Sequence, residues 1–217
     1  MTETPRSYSS LEPDTKYSGE LKDGKKHGHG TLIFSDGTKY VGNFKDDLIH
    51  GHGTLFYEDG DVYVGGFVND TEHGHATYTW VNGDEYIGEH KDGSRSGLGI
   101  FRYADGTVYE GEFKDGNFDG KGEYTTPNGS KYIGEYKDGD RCGNGISTWV
   151  SGHKYEGEYK GDELCGQGTF TFADGSKVIG EWRNSELNGY AIRYDAAGYI
   201  TQKGIYKDNK WLHNKVN

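Results

Sequence analysis

The chain has 217 residues, with 37 Gly, 18 Tyr and 3 Pro, 31% hydrophobic and 14% aromatic residues, and a formal net charge of −11 at pH 7. That aromatic content excludes a disordered chain, and the thin aliphatic pool excludes a layered α/β domain with a Leu, Ile and Val core. The acidic balance sets the average surface against phosphate, so no nucleic-acid partner is expected, and membrane association stays open but is disfavoured by the charge.

Residues 1–16, MTETPRSYSSLEPDTK, lack the basic and apolar regions of a secretory signal, and no run reaches the roughly 18 apolar residues that span a bilayer. They read as an N-terminal tail or cap, and a cytoplasmic location is expected. From there a period takes over. Tyr17, Tyr40, Tyr63, Tyr86, Tyr109, Tyr132 and Tyr155 stand 23 residues apart, Val178 takes the eighth place, and each is followed two residues on by a Gly. Eight hairpin units are thereby predicted over 17–203. Each reads as strand, turn, strand, turn. Tyr132-Ile133-Gly134-Glu135-Tyr136 alternates with period two, Asp138-Gly139 turns, and Gly143 to Trp149 returns. The Asp-Gly or Asn-Gly pairs at Asp36-Gly37, Asp59-Gly60, Asn82-Gly83, Asp105-Gly106, Asn128-Gly129 and Asp174-Gly175 supply hairpin signals. A one-residue slip after Ala197-Gly198-Tyr199 opens a partial ninth unit and C-terminal cap over 204–217.

Tyr-x-Gly-Glu-aromatic, then Asp-Gly, then His-Gly-x-Gly-Thr resembles the membrane occupation and recognition nexus (MORN) repeat. Tyr17 to Gly37 carries it closely, and the resemblance spans about 17–212. It implies an elongated single-layer antiparallel sheet serving as a scaffold that dimerises, binds helical segments or sits near membranes. The sequence departs from the motif where its His becomes Ser96, Asp119, Cys142, Cys165 and Asn188.

Residues two apart on a strand share a face, so Tyr40, Gly42 and Phe44 point one way and Val41, Asn43 and Lys45 the other. One face is aromatic and glycine, the other largely polar, and alternating bulk and glycine predicts a sheet curled into a trough. With no second layer, the rings must stack on one another or be covered. The candidate partner groove is Tyr40, Phe44, Tyr63, Phe67, Trp80, Tyr86, Tyr109, Phe113, Tyr132, Tyr136, Trp149, Tyr155 and Tyr159. Opposite it, Glu89, Glu112, Glu135, Glu158 and Glu181 form a column beside Lys91, Lys114, Lys137, Lys160 and Arg183, read as a solvated face.

The pairs His27/His29, His50/His52 and His73/His75 suggest a metal. Equivalent residues, however, lie about 9.6 Å apart across repeats, too far to share one ion, so a turn role is preferred. The same spacing separates Cys142 from Cys165 beyond disulfide reach. Gly116 to Gly122 resembles a phosphate loop but is one residue short and lacks the Ser or Thr after its Lys. No catalytic residue, metal or cofactor is assigned. The function expected is a non-enzymatic scaffold or adaptor that takes a protein or peptide partner in the groove, with a homodimer through the end strands as one mode. A lipid-headgroup module and a regulatory module for a separate enzyme are the alternatives.

Overall fold

The computed structural model describes residues 16–212, and every regular element among them is a β-strand. The chain divides into two units between Asn117 and Phe118. The first holds β1 (Lys16–Lys22), β2 (Lys25–Ile33), β3 (Lys39–Lys45), β4 (Leu48–Phe56), β5 (Val62–Val68), β6 (Thr71–Thr79), β7 (Glu85–Lys91), β8 (Ser94–Arg102) and β9 (Val108–Lys114). The second holds β10 (Asn117–Thr125), β11 (Lys131–Lys137), β12 (Asp140–Thr148), β13 (Lys154–Lys160), β14 (Glu163–Thr171), β15 (Lys177–Arg183), β16 (Glu186–Tyr194), β17 (Ile200–Lys207) and β18 (Lys210–Leu212). Within each unit, neighbours in sequence pair antiparallel, so sheet order is chain order. The tail assigned to residues 1–16 lies outside the described residues except for Lys16, which opens β1. Trp211 and Leu212 form the short β18 against β17.

Two kinds of turn alternate. β3 and β4 are joined by Asp46 and Asp47 alone, at φ 51° and 75°, with Lys45 opposite Leu48. Positive φ at both central residues is the type I′ geometry whose twist matches that of paired strands. Asn69-Asp70, Gly161-Asp162, Asn184-Ser185 and Asp208-Asn209 repeat it. The recurrent Asp36-Gly37 signal marks the other, wider turn. There Phe34 N donates to Thr38 O at 2.8 Å, Gly37 N donates to Phe34 O at 3.1 Å, and Gly37 reaches φ 95°. The pair thus belongs to a five-residue connection, because Asp36 Oδ1 accepts Thr38 N at 2.8 Å and needs the extra length.

Tight-turn hairpins from β1/β2 to β7/β8 and from β11/β12 to β15/β16 also carry a bulge. Gly42 lies opposite Gly53, yet Phe44 lies opposite Ile49, so one strand advances two residues while its partner advances four. The surplus is even, so side-chain parity survives and Ile49, 1% exposed, rejoins the face of Leu55. His50 and His52 flank the bulge residue Gly51, φ 83°, inside β4. This corrects the turn role expected for the His pairs.

The core is one layer of rings. Tyr40 folds back over Gly42 and Gly53, and a Cβ on either glycine would fall 2.3 and 2.4 Å from the Tyr40 ring or hydroxyl. Its Oη donates to Asn43 O at 3.0 Å. Phe44 stands edge-on between Tyr17 and Tyr40, with centroids 5.2 Å away on each side, and Phe67 does the same between Tyr40 and Tyr63 at 5.1 and 5.0 Å. In the second unit Tyr159 bridges Tyr132 and Tyr155 at 5.1 and 5.3 Å. The quadrupoles favour this edge-to-face arrangement.

Candidate functional site

Eleven of the thirteen groove residues lie inside that layer. Tyr40, Tyr63, Tyr86, Tyr109 and Tyr155 are fully buried, and Phe44, Phe67, Phe113, Tyr132, Tyr136 and Tyr159 are nearly so. Of the two ways expected for these rings to be satisfied, stacking on one another is the one seen: Tyr40, Tyr86, Tyr132 and Tyr155 each fold over a glycine pair, and the rings contact their neighbours edge to face. Burial pushes the phenols of Tyr40, Tyr86, Tyr132 and Tyr155 well above the ordinary tyrosine range. Trp80 and Trp149 differ, being half-buried at the wide turns.

Around Trp80 the structure assembles residues that the sequence reading left out. An aromatic residue opens six of the wide turns, at Phe34, Tyr57, Trp80, Tyr103, Trp149 and Phe172, with Thr126 and Asp195 in the other two, a period visible in the sequence but hidden beside the louder Tyr-x-Gly signal. In the first unit Tyr78 touches both Tyr57, at 5.7 Å, and Trp80, at 4.3 Å. Phe101 likewise touches Trp80 at 5.1 Å and Tyr103 at 4.6 Å. These rings are tilted 34° to 52° to one another rather than crossed. The result is a ladder of tilted rings in which Tyr78 lies between Tyr57 and Trp80 and Phe101 between Trp80 and Tyr103. In the second unit Phe170 takes the same place between Trp149, at 5.7 Å, and Phe172, at 5.0 Å, with His153 5.6 Å from Phe170.

The ring ladder has acidic flanks. Asp61, 5% exposed, accepts Tyr78 Oη at 2.8 Å and Val81 N at 2.9 Å. Asp84 accepts Ala104 N at 2.8 Å, and Thr107 N donates to Asp105, holding that carboxyl below the usual range. Glu58, Asp59 and Asp105 are exposed. Arg95, 7% exposed, lies over Trp80, Phe101, Tyr86 and Phe113 at 5.1 to 5.9 Å and donates to Gly116 O at 2.8 Å. Beside it His90 takes a phenylalanine's place between Tyr63 and Tyr86, 5.2 Å from each. Burial, then the Arg95 charge, lowers its pKa to about 4.

The glutamate column also has a structural task. Glu20, Glu135 and Glu158 accept the N–H of His29, Asn144 and Gln167 at 2.9, 3.2 and 3.0 Å. Their carboxylates sit above Gly28, Gly143 and Gly166, so they cap the bulges rather than merely face solvent. Among the described residues no three His, Cys, Asp or Glu side chains converge as metal ligands, and Cys142 and Cys165 are free thiols whose pKa burial raises.

The MORN-repeat family model matches eight times, at 17–39, 40–62, 63–85, 86–108, 109–131, 132–154, 155–177 and 179–198. The chain belongs to the MORN-repeat family. Its eight MORN units coincide with the eight hairpins described above, and β17 and β18 follow the last match. No curated protein matches the chain. Among solved structures this MORN array is similar to the TCP domain of Drosophila melanogaster SAS-4 (dCPAP), solved with a proline-rich motif of Ana2, at 18% identity over 72% of this chain and 84% of that one, TM-score 0.42. It is also similar to the TCP10 domain of Danio rerio CPAP, at 12% identity over 82% and 90%, TM-score 0.40. At those scores the likeness says nothing about what this chain binds.

Proposed function

We propose that this MORN array is a non-enzymatic scaffold that holds a peptide segment of a protein partner along the aromatic rim of its first unit. The observation that carries the reading is the ladder of tilted rings at the wide turns, in which Trp80 and Tyr103 are only half-buried. Elsewhere in that unit the Tyr and Phe rings of the edge-to-face column are consumed by the core, whereas Trp80 and Tyr103 keep accessible surface. Half-buried, prepositioned aromatics lose little freedom on binding and bury much area, which is why they anchor interfaces. Selecting peptides from an unbiased library against the full chain tests the reading. Binders should lose affinity for Trp80→Ala and Tyr103→Ala, and binders indifferent to both substitutions would remove the rim as the site.

Pairing of two copies has its own support. Tyr190 lies opposite Ile205, and Ile205 opposite Leu212, all on positions that are polar in most other units, at 48%, 45% and 47% exposure. Light scattering across a concentration series decides this. A mass held at 24.1 kDa excludes the dimer, while a doubled mass that Ile205→Glu returns to 24.1 kDa supports it.

A further inference from the structure

We infer that the bulge at Gly74, on the face opposite the rings, is a docking point for a glutamate side chain that a protein partner presents between aliphatic residues. The inference concerns a different surface from the aromatic rim and goes beyond the reading given above.

The other repeats show what belongs at such a bulge. There a side chain eight residues earlier covers the positive-φ glycine. A Cβ on Gly28 would fall 2.5 Å from Glu20 Oε2, one on Gly97 2.8 Å from Glu89 Oε2, and one on Gly143 2.6 Å from the Glu135 carboxyl. Asn43 fills the same place above Gly51, at 3.3 Å. The carboxylate accepts the N–H of the residue after that glycine, as Glu20 does for His29 and Glu158 for Gln167. A carboxylate on a backbone N–H is a charge-assisted bond, roughly twice as strong as a neutral one.

The β5/β6 hairpin departs from this pattern. Its bulge is formed like the rest, with Gly65 opposite Ala76 and Phe67 opposite Glu72. The glutamate position, however, is Gly66, and a Cβ built on Gly74, at φ 78°, meets nothing within 4 Å. The place that a carboxylate takes at the other bulges is therefore open to the surface beside the His75 N–H. The chain cannot regain its own cap by substitution, because a Cβ on Gly66 would run into His73 O. An acceptor for this site has to come from outside the repeat.

The surroundings favour a partner over water. Strands β4, β5 and β6 turn no Asp, Glu, Lys or Arg outward, whereas β12, β13 and β14 turn out Asp140, Lys154, Glu156, Glu158, Lys160 and Glu163. Val64 and Val68, two residues to either side of Gly66, are 49% and 42% exposed, and Phe56 on β4 is 41% exposed. Clustered apolar side chains on a surface without charges mark an interaction site. Glu89 and Asp92 lie close but are engaged elsewhere. Glu89, opposite His75, reaches over Gly97, and Asp92 Oδ1 stands 3.8 Å from His73 Nδ1. His52, opposite Gly66, adds no negative charge. A glutamate arriving at Gly74 thus finds an N–H donor, and its aliphatic neighbours find Val64 and Val68.

The test is amide NMR on the full chain, titrated with acetate, with the blocked peptide Ac-Val-Val-Glu-Val-Thr-NH2 and with the same peptide carrying Gln for Glu. The Glu peptide should shift the Gly74 and His75 amides saturably and bind about fivefold more tightly than the Gln peptide, the difference expected between a charged and a neutral acceptor. It should also bind more tightly than acetate. Val64→Ser, at an exposed outward position, should weaken the Glu peptide several-fold and leave acetate unchanged. The Asn144 amide, already bonded to Glu135, should not respond. Equal affinity for the Glu and Gln peptides would overturn the inference, as would acetate binding as well as the Glu peptide or the Asn144 amide moving with that of His75. Trp80→Ala should leave the titration unchanged. If library peptides need Trp80 while the His75 amide ignores the Glu peptide, this inference fails and the rim reading survives; if the His75 amide responds and no library peptide needs Trp80 or Tyr103, the reverse holds.

Discussion

The facing glycines beside Tyr17, Tyr40, Tyr86, Tyr132 and Tyr155 are spaces with a defined occupant. A Cβ at Gly53 would stand 2.4 Å from Tyr40 Cε2, and Tyr40 cannot swing aside because Phe44 and Phe67 hold it at 5.2 and 5.1 Å. Gly53→Ala should therefore lower stability by about 3 kcal/mol, the upper end of overpacking costs, as read by urea unfolding. A second residue-level expectation concerns His90, whose pKa falls from 6.5 to about 4 on folding. Between those values the unfolded chain binds the proton and the folded chain does not. Stability is thus full above about pH 6.5, is lost as pH falls toward 4, and changes no further through this group below 4. The loss is on the order of 3 kcal/mol. His90→Phe restores the ring found at Phe44, Phe67 and Phe113, and should flatten the difference between pH 7 and pH 4.5 midpoints in thermal unfolding. An unchanged slope would mean that other groups carry the acid sensitivity.

At the level of the hairpin, strands and faces were legible because Tyr-x-Gly repeats in register and period-two alternation assigns each side chain a face. The bulge was not. Its two extra residues are even in number, so Ile49, Gly51, Gly53 and Leu55 keep one parity whether or not a bulge exists, and the pattern cannot report it. The turn assignment was legible only in part, since Asp138-Gly139 makes the tight turn it signals, whereas Asp36-Gly37 marks the wide one and Asp46-Asp47 and Asn184-Ser185 adopt the tight geometry without that signal. The burial of the groove rings was hidden for a related reason: periodicity says which rings share a face but not that Tyr40, Tyr86, Tyr132 and Tyr155 fold over glycine pairs. The accessible aromatics at Trp80 and Tyr103 are set by the wide turn, one step off the strand pattern. Glu135 shows how local the bulge energetics are. Its Oε1 accepts Asn144 N at 3.2 Å above Gly143 at φ 55°. Glu135→Ala should cost about 1 kcal/mol, the usual net value of such a bond, whereas Lys137→Ala two residues on, exposed at its end, should cost less. Equal costs would return the glutamates to a solvated role.

At the largest scale, repeats inside each of the two units are coupled by a recurring exchange at tight turns. Lys26 N donates to Asp47 Oδ1, Ile49 N to Asp70 Oδ1, Arg141 N to Asp162 Oδ1, Leu164 N to Ser185 Oγ and Leu187 N to Asn209 Oδ1, at 2.8 to 3.1 Å. Each unit thus caps the strand start of the one before it, and each ring column advances by sharing a ring with the next unit. Such an array gains its stability from nearest-neighbour terms, so damage should spread only as far as those terms reach. Gly157→Val makes the case testable. Its Cβ would stand 2.5 Å from Tyr155 Oη and 2.6 Å from Gly168 Cα, inside β13 and far in sequence from the first unit. In hydrogen exchange, amides of β12 to β15 should open first, since they pack directly on the strained pair, while β2 to β7 keep their protection. Exchange that rises uniformly from β2 onward would show instead that the chain unfolds as one cooperative block, and that the turn-to-strand bonds transmit strain rather than confine it.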